Sequence, residues 1–361
     1  MPIVALHGHR NLTTRFARAL RDRTLPQSLL LHGESGIGKQ RLALWLAQSL
    51  LCESGAPACD TCVHCRYARE LTHPDLTWVF PRPRLKDSDA SPDEVRQDLA
   101  DAIRERVEAA GLYTAPPGNE GIYVPTIRMV VRAASVTPAM ARRKVIIVGD
   151  AERMVSQEGA DQAANAFLKL LEEPPANTWI LLTSSAPGAL LPTIRSRVVG
   201  ARVSRLTDAE VDGWLGEPAV ADALKERALA GGRAQWVEVA AGAPGRLLST
   251  GATSTAAEAA RRLVAALSTN GVERTTRVAL AQGSAGARGA FTDVLEAVAM
   301  ELRAVMRAAV QRGDERTARG LGHCIERVED AKILAQGNVN PTLITSELLT
   351  ACQRSLGSPL A

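Results

Sequence analysis

The chain has 361 residues, of which 46% are hydrophobic but only 3% aromatic, so it can bury more than one core and must fill it with Ala, Leu and Val, as close-packed helices do. A formal charge of +4 excludes a globally basic surface, so any contact with nucleic acid has to come from a local patch. No charged leader stands before an apolar core, and no apolar run approaches the roughly 18 residues that cross a bilayer; a cytoplasmic protein without a membrane segment is expected.

In chain order, Leu12, Phe16, Ala19 and Leu20 recur at helical spacing, predicting a first helix over 12–22 with Asn11 as its cap and Leu25-Pro26 after its end. Leu29-Leu30-Leu31 then reads as a buried strand, Gly33-Glu34-Ser35-Gly36-Ile37-Gly38-Lys39 as a tight turn, and the stretch to Leu51 as an apolar helix. This is the layout of a P-loop. Gly33, Gly36 and Gly38 let backbone N–H groups converge on one anion, the helix start adds its positive end, and Lys39 adds a point charge. Phosphate is the expected guest, with binding of ATP or ADP left open, the alternative being a strand-to-helix turn that binds nothing. The full pattern places Ser or Thr after the lysine to ligate magnesium; here Gln40 stands there.

Cys52, Cys59, Cys62 and Cys65 follow, with spacers of six, two and two residues. Two-residue spacers let sulfurs converge on one tetrahedral ion, and the loop after the helix end can bring Cys52 round, which predicts a structural zinc site. His64 is a fifth possible ligand, but four thiols already close the shell and leave no catalytic position.

Residues 76–80 read as a strand behind His73-Pro74-Asp75. From Arg82 to Gly121 the chain is charged and punctuated by Pro and Gly; Ser91-Pro92-Asp93-Glu94 is a capping box, so residues 92–110 are expected to form a solvated helix on a surface insertion. A helix over 127–134 and a loop over 138–143 lead into Lys144-Val145-Ile146-Ile147-Val148, a buried parallel strand that carries Asp150 to its carboxyl edge, where open α/β sheets keep their ligands. Working P-loop ATPases usually have two acids in succession there; Ala151 interrupts the pair, and Glu152 is expected to point elsewhere. A helix over 162–171 stops at Glu172-Glu173-Pro174-Pro175. Residues 179–184 form another strand ending in Ser184, a candidate cofactor-binding hydroxyl, residues 191–198 a short helix with Arg195 and Arg197, and residues 201–203 a last strand.

Beyond Leu206 the strand signal ends. Thr207-Asp208-Ala209-Glu210 is a second capping box, opening a three-helix lid over 206–249. A linker over 249–254 precedes long amphipathic stretches at 291–311, 315–336 and 342–356, which must bury their stripes on one another or on partner chains. The expected organisation is an α/β P-loop domain with a parallel sheet and zinc module over 1–205, the lid, and an all-α collar for oligomerisation over 250–361.

GESGIGK at 33–39, the four cysteines, HPD at 73–75, TPAMARRKVIIVGDAERM at 137–154, ANAFLKLLEEPP at 164–175 and Ser196-Arg197 together resemble the clamp-loader branch of the AAA+ ATPases, in bacteria part of DNA polymerase III. The resemblance covers nearly the whole chain except the 82–121 insertion. It implies a hetero-pentameric ring of related subunits, with gamma or tau and delta as partners, that opens a sliding clamp and places it on primed DNA during replication. Gln40, Ala151 and Gly245, at the place of an ATP-sensing lid arginine, all depart from the motor subunits in one direction. They imply the ring's stator, without ATPase or polymerase activity of its own, inside a DNA-directed DNA polymerase (nucleotidyltransferase) holoenzyme. Arg197, which no neighbouring acid in the sequence pairs, is implied as an arginine finger acting in trans. Two alternatives stay open: a gamma- or tau-like motor, and a zinc module that binds DNA, disfavoured by the few basic residues among the cysteines.

Overall fold

The computed structural model describes residues 3–55, 57–85, 90–113, 120–154, 161–226, 232–248, 253–267, 288–336 and 339–356. They belong to two compact units, one spanning Met1–Pro116 and Glu120–Ser249, the other built on Thr250–Ala361.

The first unit is organised on five parallel strands, β1 (Ser28–His32), β2 (Leu76–Val79), β3 (Lys144–Val148), β4 (Thr178–Ser184) and β5 (Val199–Arg202), in the order β2-β3-β4-β1-β5. Strands covered on both faces read as continuous apolar runs, and Leu29, Leu30, Leu31 and the run Val145 to Val148 are accordingly buried. The pairs Leu30–Leu182 and Ile146–Ile180 fix the register at the centre of the sheet. At the edge, Val199 is exposed and the strand is short, which leaves little template for a further strand.

Helix α1 (Arg10–Arg21) starts earlier than expected, with His9 and not Asn11 at its cap. The His9 backbone is left-handed and offers no side-chain cap, because its imidazole is engaged 2.8 Å from the carbonyl oxygen of Ile37. Helix α2 (Lys39–Leu51) begins at the end of the glycine-rich turn and buries Leu42, Ala43, Leu46 and Ala47 against the sheet. Helix α3 (Val63–Arg69) carries Cys65 in its first turn and has Cys62 as its N-cap.

The insertion departs most from the sequence-based expectation. Helix α4 (Pro92–Glu108) has its capping box, Ser91 and Glu94 bonding each other's backbone as expected. Yet Val95, Leu99 and Ala102 are buried in the main core, and the helix packs on α5 (Val124–Ser135). These three apolar residues are spaced three or four apart and form a stripe, outweighing the alternating charges that suggested a solvated helix. Past its end, Ala110 accepts a 2.8 Å hydrogen bond from the N–H of Val4.

Helices α6 (Asp161–Glu172) and α7 (Pro192–Arg195) flank β4 in sequence. The lid has four described helices where three were expected: α8 (Asp208–Leu215), α9 (Pro218–Glu226), α10 (Arg233–Ala240) and the single turn α11 (Gly245–Leu248). Its small core of Val211, Trp214, Val220, Leu224 and Leu247 is completed by Val4, Ala110 and Leu112, which come from the N-terminal segment and the insertion.

The second unit contains α12 (Thr253–Leu267), α13 (Arg288–Gln311), α14 (Glu315–Gln336) and α15 (Pro341–Leu356) among the described residues. Its core includes Leu263, Leu295, Leu302, Leu321, Val328, Ile344 and Leu348. Gly320 lets α14 meet α15 closely, since a Cβ there would lie 2.9 Å from the Ser355 carbonyl oxygen. Of the expected linker, residues 249–252 lie outside the described residues, and Thr253 is already helical.

Candidate functional site: a P-loop and a four-cysteine module

The turn after β1 has the backbone a phosphate cradle needs. Gly36 and Gly38 take φ of 78° and 90°, a left-handed region that side chains with a Cβ rarely enter. A Cβ on Gly33 would clash with the Val203 carbonyl oxygen. Lys39, buried, donates to the Glu34 carbonyl oxygen at 2.7 Å and to Ser185 Oγ at 2.9 Å. The hydroxyl that meets the lysine is therefore that of Ser185. The expected Ser184 is buried, and its Oγ accepts from the Ala186 N–H instead. A strand alternates its side chains, so a one-residue difference decides which hydroxyl faces the loop.

Gln40 fills the place of the magnesium-binding hydroxyl. Its Nε2 donates to Asp150 Oδ2 at 2.9 Å, its Oε1 accepts from Trp78 Nε1 at 3.2 Å, and it packs so closely on Gly149 that a Cβ there would lie 2.6 Å from it. Asp150 itself adopts a left-handed φ of 48° and donates its N–H to Thr183 Oγ1. Glu152 does not point away. The 3₁₀ turn Ala151–Met154 swings it back to the sheet edge, where Oε1 accepts the Ser185 N–H at 2.8 Å, while Oε2 is buried without a hydrogen-bond partner among the described residues. Burial pushes both carboxyls up from the usual range, and the charge of Asp150 pushes Glu152 further. Lys39 pulls both down, with Arg153 and Arg106 also acting on Asp150.

Arg106 was not legible as a site residue. It leaves the insertion helix to stack over Phe80, Tyr113 and Trp78, at 3.3, 3.8 and 4.6 Å from the ring centroids. Burial draws its guanidinium down to about 10, which still leaves it charged at neutral pH.

The lid closes the cradle from the other side. The Gly245 N–H donates to the Gly36 carbonyl oxygen at 2.9 Å, and a Cβ on Gly245 would lie 2.7 Å from Gly36 Cα. Glu34 holds Arg205 through both carboxylate oxygens, at 2.9 and 2.7 Å, and Arg246 at 3.1 Å. Arg246, beside the position expected for a lid arginine, thus meets a P-loop side chain.

At the far end of α2 the four sulfurs of Cys52, Cys59, Cys62 and Cys65 lie within 4.8 Å of one another. The Cys59–Cys65 and Cys52–Cys62 separations are 3.9 and 4.0 Å, close to the ~3.8 Å edge of a tetrahedron with metal–sulfur bonds of about 2.3 Å. Backbone N–H groups of Cys59, Cys62 and Cys65 each point at a preceding sulfur. Hydrogen bonds from Thr61, then from the Cys62 backbone, bring the Cys59 thiol down to about 5. The donor set fits a four-thiolate metal centre such as zinc. His64 is not part of it: Nδ1 is 2.8 Å from His73 Nε2 and Nε2 is 3.0 Å from Glu53 Oε1.

Arg197 has the partner that the sequence did not reveal. Its Nε donates to Glu172 Oε1 at 2.9 Å, Nη2 to the same oxygen, and Nη1 to the Thr193 carbonyl oxygen at 2.8 Å. Glu172 lies 25 residues away and is brought over by the packing of α6 on α7.

The first unit is thus an AAA+-type P-loop domain with a helical lid on its cradle and a four-cysteine module below its helix. The family model described as DNA polymerase III, delta subunit, matches residues 8–207, more than half of the 361, and the chain belongs to that family. Over 172 residues it is 34% identical to DNA polymerase III subunit delta' of Pseudomonas aeruginosa, covering 47% of this chain and 40% of that protein. With the subunit delta' of Bacillus subtilis it shares 29% over 174 residues, 48% and 40% of the two chains. With DNA polymerase III subunit tau of Salmonella typhimurium it shares 29% over 192 residues, 53% and 23%. The matched stretch thus spans less than half the length of each of these relatives. No described helix is long and apolar enough to cross a membrane.

Proposed function

We propose that this chain acts as the stator of a replicative clamp loader: a subunit that assembles with gamma or tau and delta into a pentamer, helps place the sliding clamp on primed DNA, and does not hydrolyse ATP itself. The observation that carries the non-hydrolysing part is the Gln40 amide bonded to Asp150 and Trp78. Phosphoryl transfer needs magnesium to neutralise charge. Here the hydroxyl that would bind the metal is absent, and the acid that would support it is engaged by a side-chain amide. The cradle does not fit a hydrolytic magnesium nucleotide, although Lys39 and the glycines still suit a phosphate. In this ring Arg197 extends its guanidinium to the γ-phosphate of ATP in the adjacent motor subunit and stabilises the charge that develops there. Zinc, held by Cys52, Cys59, Cys62 and Cys65, acts as a staple below α2.

One observation favours the motor reading: Glu152 reaches the sheet edge beside Ser185 and Lys39, where a water-orienting acid would stand. What speaks against that role is the metal side of the site, where Gln40 stands in place of the hydroxyl that would ligate magnesium and bonds Asp150 instead. Turnover of ATP by the isolated chain separates the two. A background rate, with a mass of the reconstituted complex that includes this chain, supports the stator. Steady magnesium-dependent hydrolysis abolished by Lys39→Ala overturns it. Within the complex, Arg197→Ala is expected to lower DNA-stimulated ATPase and clamp loading in part, since one of several sites loses its arginine. Arg195→Ala should do much less.

A further inference from the structure

The proposed finger is not free in this chain, and the way it is held points to a second residue. All three guanidinium nitrogens of Arg197 are engaged: Nη1 on the Thr193 carbonyl oxygen and on Ser196 Oγ at 3.2 Å, Nε and Nη2 together on Glu172. The Nη1 contacts lie within one helical turn of Arg197 and anchor its stem. The Nε–Nη2 edge, which is the edge that recognises an anion side-on, is occupied among the described residues by the carboxylate of Glu172.

Glu172 is an unusual residue to find there. It is the last residue of α6, where the helix dipole disfavours a negative charge, and Pro174 and Pro175 prevent the helix from continuing past it. Lys169 also stands in the last turn of α6, but the cation bonded to this carboxylate is Arg197. The pair is also easy to part. Both N–H groups share the single oxygen Oε1 rather than forming a two-oxygen fork, and the side chains are 31% and 46% exposed. Ion pairs exposed to that degree are weak and further screened by salt.

We infer that Glu172 is a positioning residue that parks Arg197 in the free chain, and that on assembly the guanidinium exchanges this carboxylate for the triphosphate of the neighbouring subunit. A phosphate presents more charge and more acceptor oxygens to the same Nε–Nη2 edge than one shared carboxylate oxygen does. The parking keeps the arginine extended along α7 but costs the working complex a fraction of its engaged population. The inference rests on the trans-acting role of Arg197 proposed above.

The test is the DNA-stimulated ATPase of the complex reconstituted from the full chain, its gamma or tau and delta partners, clamp and primed DNA. Glu172→Gln keeps the shape and removes the charge. It is expected to raise turnover at the one site that Arg197 serves by up to about two- to five-fold, the factor an exposed ion pair supplies, to raise the rate of the whole complex by less because its other sites are unaffected, and to flatten its salt dependence. The unfolding midpoint of the free chain should barely move. Combining Glu172→Gln with Arg197→Ala should give the rate of Arg197→Ala alone. If Arg197→Ala by itself changes nothing, the finger and the latch fail together. If Arg197→Ala slows the complex while Glu172→Gln leaves the rate unchanged or lowers it, the finger stands and the latch is wrong.

Discussion

At the scale of single residues, two positions combine chemistry with a measurable consequence. The carboxylate of Asp75, from the HPD motif, accepts the N–H groups of Ala139, Met140 and Ala141 at 2.6–2.8 Å and so fixes the loop that enters β3. Burial alone would raise its pKa, but the three N–H donors, with His73 nearby, outweigh it and hold the carboxyl below the usual range. The stability it contributes is therefore complete above an unfolded pKa of about 3.9 and falls away as pH drops through the lower folded value. Asp75→Ala strands three donors, and denaturant unfolding at neutral pH should show a loss of roughly 3 kcal/mol. Acid titration should show the difference from the parent chain shrinking below about pH 3.9. The second position is Gly245, whose missing side chain lets the lid touch the cradle 2.7 Å from where its Cβ would be. Backbone cannot yield as a side-chain tip does, so Gly245→Val should cost about 1–3 kcal/mol, as overpacking does. Hydrogen exchange should find faster opening of α11 with β3 unchanged.

At the scale of elements, the insertion helix is the one whose burial changes its meaning. Leu99 lies in the core and Arg106 is held by three aromatic faces, with Nη1 lacking a hydrogen-bond partner among the described residues. Leu99→Ala should lose about 2–5 kcal/mol through transfer and cavity terms. Arg106→Ala should lose at least about 2 kcal/mol, because a desolvated cation–π stack and its packing go together. Arg104, two residues earlier, pairs with Asp101 on the solvent side and is 64% exposed at its side chain; its replacement by Ala should stay within about 0.5 kcal/mol. Equal losses at 104 and 106 in chemical denaturation would contradict the packing described here.

At the scale of the whole molecule, the proposed metal and the fold are expected to be linked but separable. Four thiolates released from one ion would repel or protonate, so chelation should loosen α3 and the loop after α2 while leaving the parallel sheet intact. Elemental analysis is expected to find one zinc per chain. Far-ultraviolet circular dichroism should change little on chelation, whereas proteolysis between Cys52 and Cys65 should accelerate. A carefully purified chain without stoichiometric metal would rule out the staple. The second unit, with its own core of helical stripes, is expected to carry assembly. Its removal should abolish co-purification with gamma or tau and delta without altering metal content.

What the sequence determined by itself lies mostly in local patterns. Apolar runs marked the buried strands, glycine spacing marked the cradle, paired two-residue spacers marked the cysteine module, and Ser91–Glu94 and Thr207–Glu210 marked helix starts, because each rests on contacts between residues a few positions apart. Tertiary structure alone decided what depended on distant partners. Arg197 met Glu172 across 25 residues, Glu34 met Arg205 and Arg246 in the lid, and Arg106 met rings from β2 and from beyond its own helix. Glu152 was returned to the sheet edge by a turn whose left-handed entry at Asp150 no spacing rule anticipates. Charges are the least legible in sequence for a physical reason: a hydrophobic stripe can pack on any apolar surface, whereas an ion pair needs one particular partner, and only the folded chain brings it within reach.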